Sequence, residues 1–270
     1  MSPPEQKNNA YPYALYYLGG GLMNIFASGV FFVLYVLLRD GFPYAGAGFI
    51  PVAGLGAILG LSNLLPLRFS GLDTDGRNLV SLRKSERTRR ANWILLSMNA
   101  RLSSGERCSD FPAQWFEFPD DYDYNDTIQA NVACIALSRH IYDHDFIAAK
   151  ALAETILLKG ANIIGLMKKE IHCELLFIET IGKPGEERQR EIERLYTPEL
   201  SRYIKMSRAQ PSKHRLMYAY EKLFTFDGAR AMEALESFNS ACEKYPFSGI
   251  RDCERELIGI VDELAAIAGQ

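Results

Sequence analysis

Two carboxylates, Asp73 and Asp75, with Gly76 directly behind the second, close the stretch GLSNLLPLRFSGLDTDGRNL (residues 60–79). They follow an apolar run that ends in Asn63 and Pro66. A carboxylate at the end of a membrane helix is expensive unless a cation neutralises it. The competing use is structural: Asp73, Thr74 or Asp75 is suited to cap a helix starting near Arg77. Pro66 stops the preceding helix and removes a backbone donor, freeing polar backbone close to the carboxylates. The four histidines, His140, His144, His172 and His214, all lie far along the chain. His140 and His144, flanked by Asp143 and Asp145, straddle a helix end and a turn, where His meets terminal carbonyls and Asp caps the next helix. His172, Cys173 and Glu174 are consecutive and so point to different faces of a helix; Cys173 reads as core and Glu174 as a solvated or interface group.

The elements that must hold Asp75 are apolar. Residues 14–38 and 41–67 carry no charge, in a chain of 270 residues whose overall composition is only 48% hydrophobic. A bilayer core is crossed by about 20 mostly apolar helical residues, so the two runs predict a transmembrane helical hairpin. The start, MSPPEQKNNAYPY, lacks the basic region of a secretory signal, and the first run exceeds the about 7–15 residues of a signal core. It is therefore expected to be a retained span. Arg68, Arg77, Arg83, Lys84, Arg87, Arg89 and Arg90 follow the second run, against Asp73, Asp75 and Glu86. Basic residues beside a span stay on the cytoplasmic side, which predicts an integral, multi-pass protein with both termini cytosolic. This cluster sets topology and meets anionic headgroups. With a net charge of −3, it gives no reason to expect nucleic acid as a partner. Cys108, Cys134, Cys173, Cys242 and Cys253 are scattered without a Cys-x-x-Cys pair, as for reduced thiols in a cytosolic core rather than a disulfide framework or zinc ribbon.

Gly19, Gly20, Gly21 and Asn24 open the first run, and Gly46, Gly48, Gly54, Gly56, Gly60, Ser62 and Asn63 punctuate the second. Small residues let helices approach closely in lipid, and Gly20, Gly21 and Asn24 are the expected packing positions. A tight helical hairpin alone would account for them. The order of motifs also resembles the later half of the site-2 protease family of intramembrane zinc metallopeptidases. Gly20-Gly21-Leu22-Met23-Asn24 matches that family's Gly-Pro-x-x-Asn segment with Gly in place of Pro. Asn63-Leu64-Leu65-Pro66 matches its Asn-x-x-Pro, and Asp75-Gly76 its Asp-Gly. The resemblance covers roughly residues 15–85. It implies Asp75 as a zinc ligand, with Asn63 and Pro66 contacting substrate. The distance from Pro66 to the aspartates is longer than usual, leaving Asp73 as an alternative to Asp75. The family's other ligands and general base come from His-Glu-x-x-His on an earlier helix, which places both imidazoles on one face. That motif does not occur in this chain. Zinc is thus expected only when a complementary protease fragment, upstream or separate, supplies it. The chain then represents a truncated, split or relic protease, incomplete for catalysis by itself. The alternative is a non-enzymatic membrane adaptor.

From about residue 88, apolar positions recur every three or four residues. Helices are predicted near 89–103, 126–141, 145–158, 162–181, 187–206, 212–225, 228–244 and 249–267. CSDFPAQWFEFPDDYDYND (residues 108–126) is expected to run as a non-helical connection over the surface. YDHDFIAAKALAETIL (142–157) and FTFDGARAMEALESFN (224–239) echo each other, and ALESFNSACEKYP resembles the second helix of a tetratricopeptide unit. The fold class expected is all-α: a two-span hairpin, then a cytosolic antiparallel helical-repeat domain of tetratricopeptide-like kind that recruits a protein partner. The expected divisions are a polar segment 1–13, a membrane part 14–86 and a helical part 87–270.

Overall fold

The structure is a computed structural model and describes residues 12–69, 72–161 and 163–268. Apart from Pro12 and Tyr13, the polar N-terminal segment lies outside the described residues. Among the described residues the fold is all-α with one minimal β-ribbon. It divides into two compact units, one ending at Trp93 and the other running from Ile94.

The first unit begins with α1 (Tyr13–Leu38) and α2 (Pro43–Leu64). Both are long and apolar enough to cross a membrane; the 26 residues of α1 correspond to about 39 Å at 1.5 Å per residue. They pair along a seam that repeats every three or four residues. On α1 it uses Gly21, Ile25 and Ser28; on α2 it uses Ala53, Gly56 and Gly60. A Cβ on Gly60 would stand 2.9 Å from the Gly21 carbonyl oxygen, and one on Gly56 would meet Ser28 Oγ at 2.6 Å. The Ser28 hydroxyl donates to the Ala53 carbonyl at 2.8 Å, so its polar group is satisfied inside the pair. Phe31 and Phe49 stack further along. The outward faces are apolar and exposed, with Leu15, Phe26, Leu37 and Ile58 among them.

After α2, β1 (Arg68–Phe69) pairs antiparallel with β2 (Leu72–Asp73), leading into α3 (Asp75–Lys84), which packs on both α1 and α2. Ser85 breaks the helix in extended conformation and caps the next, α4 (Glu86–Ser103), by accepting from Thr88 N. Within the first unit, the Tyr17 hydroxyl donates to Asn92 Oδ1 at 2.7 Å.

The second unit carries α5 (Thr127–Tyr142), α6 (Phe146–Lys159), α7 (Gly165–Ile181), α8 (Glu186–Leu195), α9 (Pro198–Met206), α10 (Pro211–Leu223), α11 (Gly228–Lys244) and α12 (Ser248–Ala268). The expected helix 187–206 is two helices. Pro198 cannot donate to the preceding turn, and Thr197 caps a fresh start by accepting from Leu200 N. The 108–126 connection is less superficial than its composition suggests. It forms two 3-10 turns, and Phe111, Trp115 and Tyr124 are buried, because aromatic area gains more from the core than a surface path would give.

The two echoing segments share a turn design. Between α5 and α6, His144 is left-handed (φ 60°) and Asp145 caps the following helix by accepting from Ala148 N. Between α10 and α11, Phe226 is left-handed (φ 57°) and Asp227 caps by accepting from Arg230 N. In the first of these hairpins, buried Ala130, Ala133, Ala149 and Ala153 let the helices approach closely.

The core also holds charge. Lys213 and Arg215, each with a side chain only 1% exposed, lie on α10. Lys213 Nζ bonds Glu170 Oε2 at 2.5 Å. Arg215 Nη2 bonds Glu174 Oε2 at 2.6 Å, its Nε faces Glu254 Oε2 at 3.1 Å, and its guanidinium lies over the Phe177 ring. Tyr142 donates to Glu254 Oε1. Glu174 is thus an ion-pair partner of a buried arginine and not a solvated group. The cysteines are free thiols; burial pushes Cys108, Cys134 and Cys173 up to about 12, so they stay protonated.

Candidate functional site

Asn63 sits in the last turn of α2, and Asp75 is the first residue of α3. The ribbon between them folds back so that Asn63 Nδ2 donates to Asp75 Oδ2 at 2.6 Å. Three local features hold this geometry. Leu65 is extended (ψ 141°), as a residue before proline must be, and the helix ends there. Thr74 Oγ1 donates to the Leu65 carbonyl at 2.6 Å and accepts from Leu67 N at 3.1 Å and Arg77 N at 3.4 Å. Gly76 is buried, and a Cβ there would stand 1.9 Å from the Leu64 carbonyl oxygen. Only glycine lets α3 start against the end of α2.

The three candidates for the cap therefore separate. Thr74 caps α3. Asp73 is held between Arg68 Nε at 2.9 Å and Arg77 Nε at 3.0 Å. Asp75 has no cationic partner among the described residues; its Oδ2 accepts from Asn63. Burial raises the pKa of Asp75 above the ordinary aspartate value, and the Asn63 amide partly offsets this by favouring the charged form. In Asn63→Leu the opposing contribution is gone. The Asp75 carboxyl is then expected to titrate at higher pH than in the parent, as read from its infrared carboxyl band. An unchanged titration would separate the two side chains in solution.

The other sequence-derived residues are spread. Pro66 is exposed beyond the end of α2. Gly21 lies at the α1–α2 seam against the Leu64 side chain. Gly20 is exposed, with nothing within 4 Å of where its Cβ would be, and the Asn24 side chain is exposed, only its backbone carbonyl lying beside Gly56. Thr74, one of the three residues the sequence offered as a cap, is the one that caps α3; its place just before the helix is the signal that marks it.

No protein-family model, curated protein or solved structure matches this chain.

A catalytic zinc needs three protein ligands and an open position. Asp75 offers one carboxylate, and no three His, Cys, Asp or Glu side chains converge among the described residues. The donor set present does not fit a complete zinc centre. What this arrangement can do chemically is present one partly desolvated carboxylate, with no salt bridge among the described residues, at the end of an apolar helix.

Proposed function

We propose that residues 14–86 are the C-terminal core of a site-2 protease-like membrane metallopeptidase, with Asp75 as its single carboxylate ligand and Asn63 and Pro66 beside the substrate path. The observation that carries this reading is the 2.6 Å contact between Asn63 and Asp75. Two motifs read separately along the chain meet at one point, while Thr74 and the two arginines take the structural duties that compete for the same carboxylates. Asp75 rather than Asp73 is the ligand, because Asp73 is already neutralised. In this reading the hairpin spans the membrane with both chain ends in the cytosol, as the basic residues of α3 and α4 favour. Zinc binds only with a fragment that supplies His-Glu-x-x-His.

The purified chain is expected to bind less than stoichiometric zinc. Co-expressed with a segment carrying His-Glu-x-x-His, it should retain about one zinc per complex and cleave a membrane substrate, and Asp75→Ala should abolish both. Equal zinc content and cleavage in that variant would remove Asp75 from the site.

A second reading assigns the chain no catalysis: a membrane-anchored adaptor whose tetratricopeptide-like helical unit recruits a protein partner. It is favoured by the repeated turn design, in which a left-handed residue and a capping Asp connect each of two helical hairpins.

A further inference from the structure

The helical unit carries an apolar groove of two adjoining lobes, each about 550 Å³. Such volumes are within the about 300–1,000 Å³ of ligand-sized clefts. The lobes meet at Ile181, Gly182 and Leu264, where the end of α7 faces α12. One lobe continues towards α6, under Ile147, and the other towards the end of α10, under Phe226 and Ile267. These three rim side chains are large, apolar and exposed.

Phe226 is the informative one. It holds a left-handed backbone (φ 57°) that bulky residues avoid and glycine adopts freely. The residue is nevertheless 73% exposed, so its side chain adds little packing to the turn that holds this backbone. The turn holds this backbone whatever the side chain, so a bulky aromatic kept exposed there, at the mouth of a groove, points to a contact outside the chain.

The charges choose the partner. The charged residues lining the Phe226 lobe, among those described, are both cations, Lys183 and Arg188. Arg188 is fixed by donating to the carbonyls of Glu179, Thr180 and Leu223, whereas the Lys183 ammonium has no partner among the described residues. The other lobe is lined by Lys150, already paired with Glu179, and by a second carboxylate, Glu154, so the preference for an acidic partner belongs to the Phe226 lobe alone.

We propose that this groove docks an amphipathic helix of a protein partner, with large apolar residues in the two lobes and a carboxylate facing Lys183. The inference rests on the recruiting role given to the helical unit and is independent of the Asn63–Asp75 site.

The test uses the full chain in detergent and fluorescence anisotropy with two labelled synthetic helices. Both carry leucines one turn apart; one is flanked by glutamates, its twin by lysines. The glutamate helix should bind saturably, with the twin weaker by about tenfold or more, the size of losing one anchoring contact. Lys183→Glu should reverse that preference. Phe226→Gly should weaken binding by about tenfold yet unfold at the same or a higher temperature, since glycine relieves the backbone. Equal binding of both helices, no binding by the parent, or loss of binding and stability together in Phe226→Gly would overturn the proposal. If a partner protein cross-linked to the parent is captured equally by the Phe226→Gly/Lys183→Glu variant, the recruiting role stands and this groove is excluded from it.

Discussion

Replacing Gly76 with alanine is expected to break the junction that carries the candidate site. The added Cβ would sit 1.9 Å from the Leu64 carbonyl oxygen and 3.0 Å from the Leu65 carbonyl carbon. Both obstacles are backbone and cannot rotate away, so α3 must withdraw from the end of α2. Overpacking typically costs about 1–3 kcal/mol, and a backbone obstacle belongs at the upper end or beyond. Withdrawal would also separate Asn63 from Asp75, and in a competent complex it would therefore resemble Asp75→Ala. Thermal unfolding in detergent, together with proteolysis at Arg68 and Arg77, reports the loss. Gly20→Ala provides the contrast: its Cβ meets nothing within 4 Å, and alanine favours a helix over glycine by up to about 1 kcal/mol. It should be neutral or stabilising. If the two variants behave alike, the close approach of α2 and α3 is not present in solution.

The second large effect belongs to Arg215. Changing it to methionine keeps an unbranched side chain in the space but leaves Glu174 and Glu254 without their cation. Removing one member of a buried pair costs about 3–5 kcal/mol, because the remaining charge is neither solvated nor compensated. Denaturant unfolding followed through Trp115, buried in the same unit, measures it. The loss depends on pH with a definite sign. Burial raises the Glu254 pKa above the ordinary glutamate value, and Arg215 is the chief influence lowering it. A carboxyl raised on folding contributes stability that is complete below its unfolded pKa and disappears as pH rises through its folded value. Without Arg215 the folded value rises further, so the folded variant keeps its proton to higher pH. The deficit relative to the parent should be smaller at ~pH 5.5 than at ~pH 8. Arg215→Met/Glu254→Gln should recover part of it. A deficit independent of pH would mean that Glu254 does not sense the arginine.

Most of the architecture was legible in the residues, because periodicity and uncharged length need no knowledge of neighbours. Uncharged runs mark α1 and α2, and three-to-four residue spacing marks the helices after them, with Asp145 and Asp227 at two of the starts. Asn63 and Asp75 could be picked out by the order of the Asn-x-x-Pro and Asp-Gly segments, with a helix cap as the competing use of the carboxylate. Their contact could not, since it depends on the chain reversing through a ribbon and on Gly76 admitting the Leu64 carbonyl. The same holds for Asp73, whose neutralisation needs Arg68 across the ribbon as well as Arg77 one helical turn on. Glu174 read as a solvated or interface group because its cation lies on α10, far along the chain. The small residues of α1 carried a packing signal but not a direction: Gly21 meets α2 while adjacent Gly20 does not. Composition and spacing describe what a segment can bury. Which carboxylate meets which cation, and which glycine meets a backbone, follows only from where the folded chain brings distant segments within contact distance.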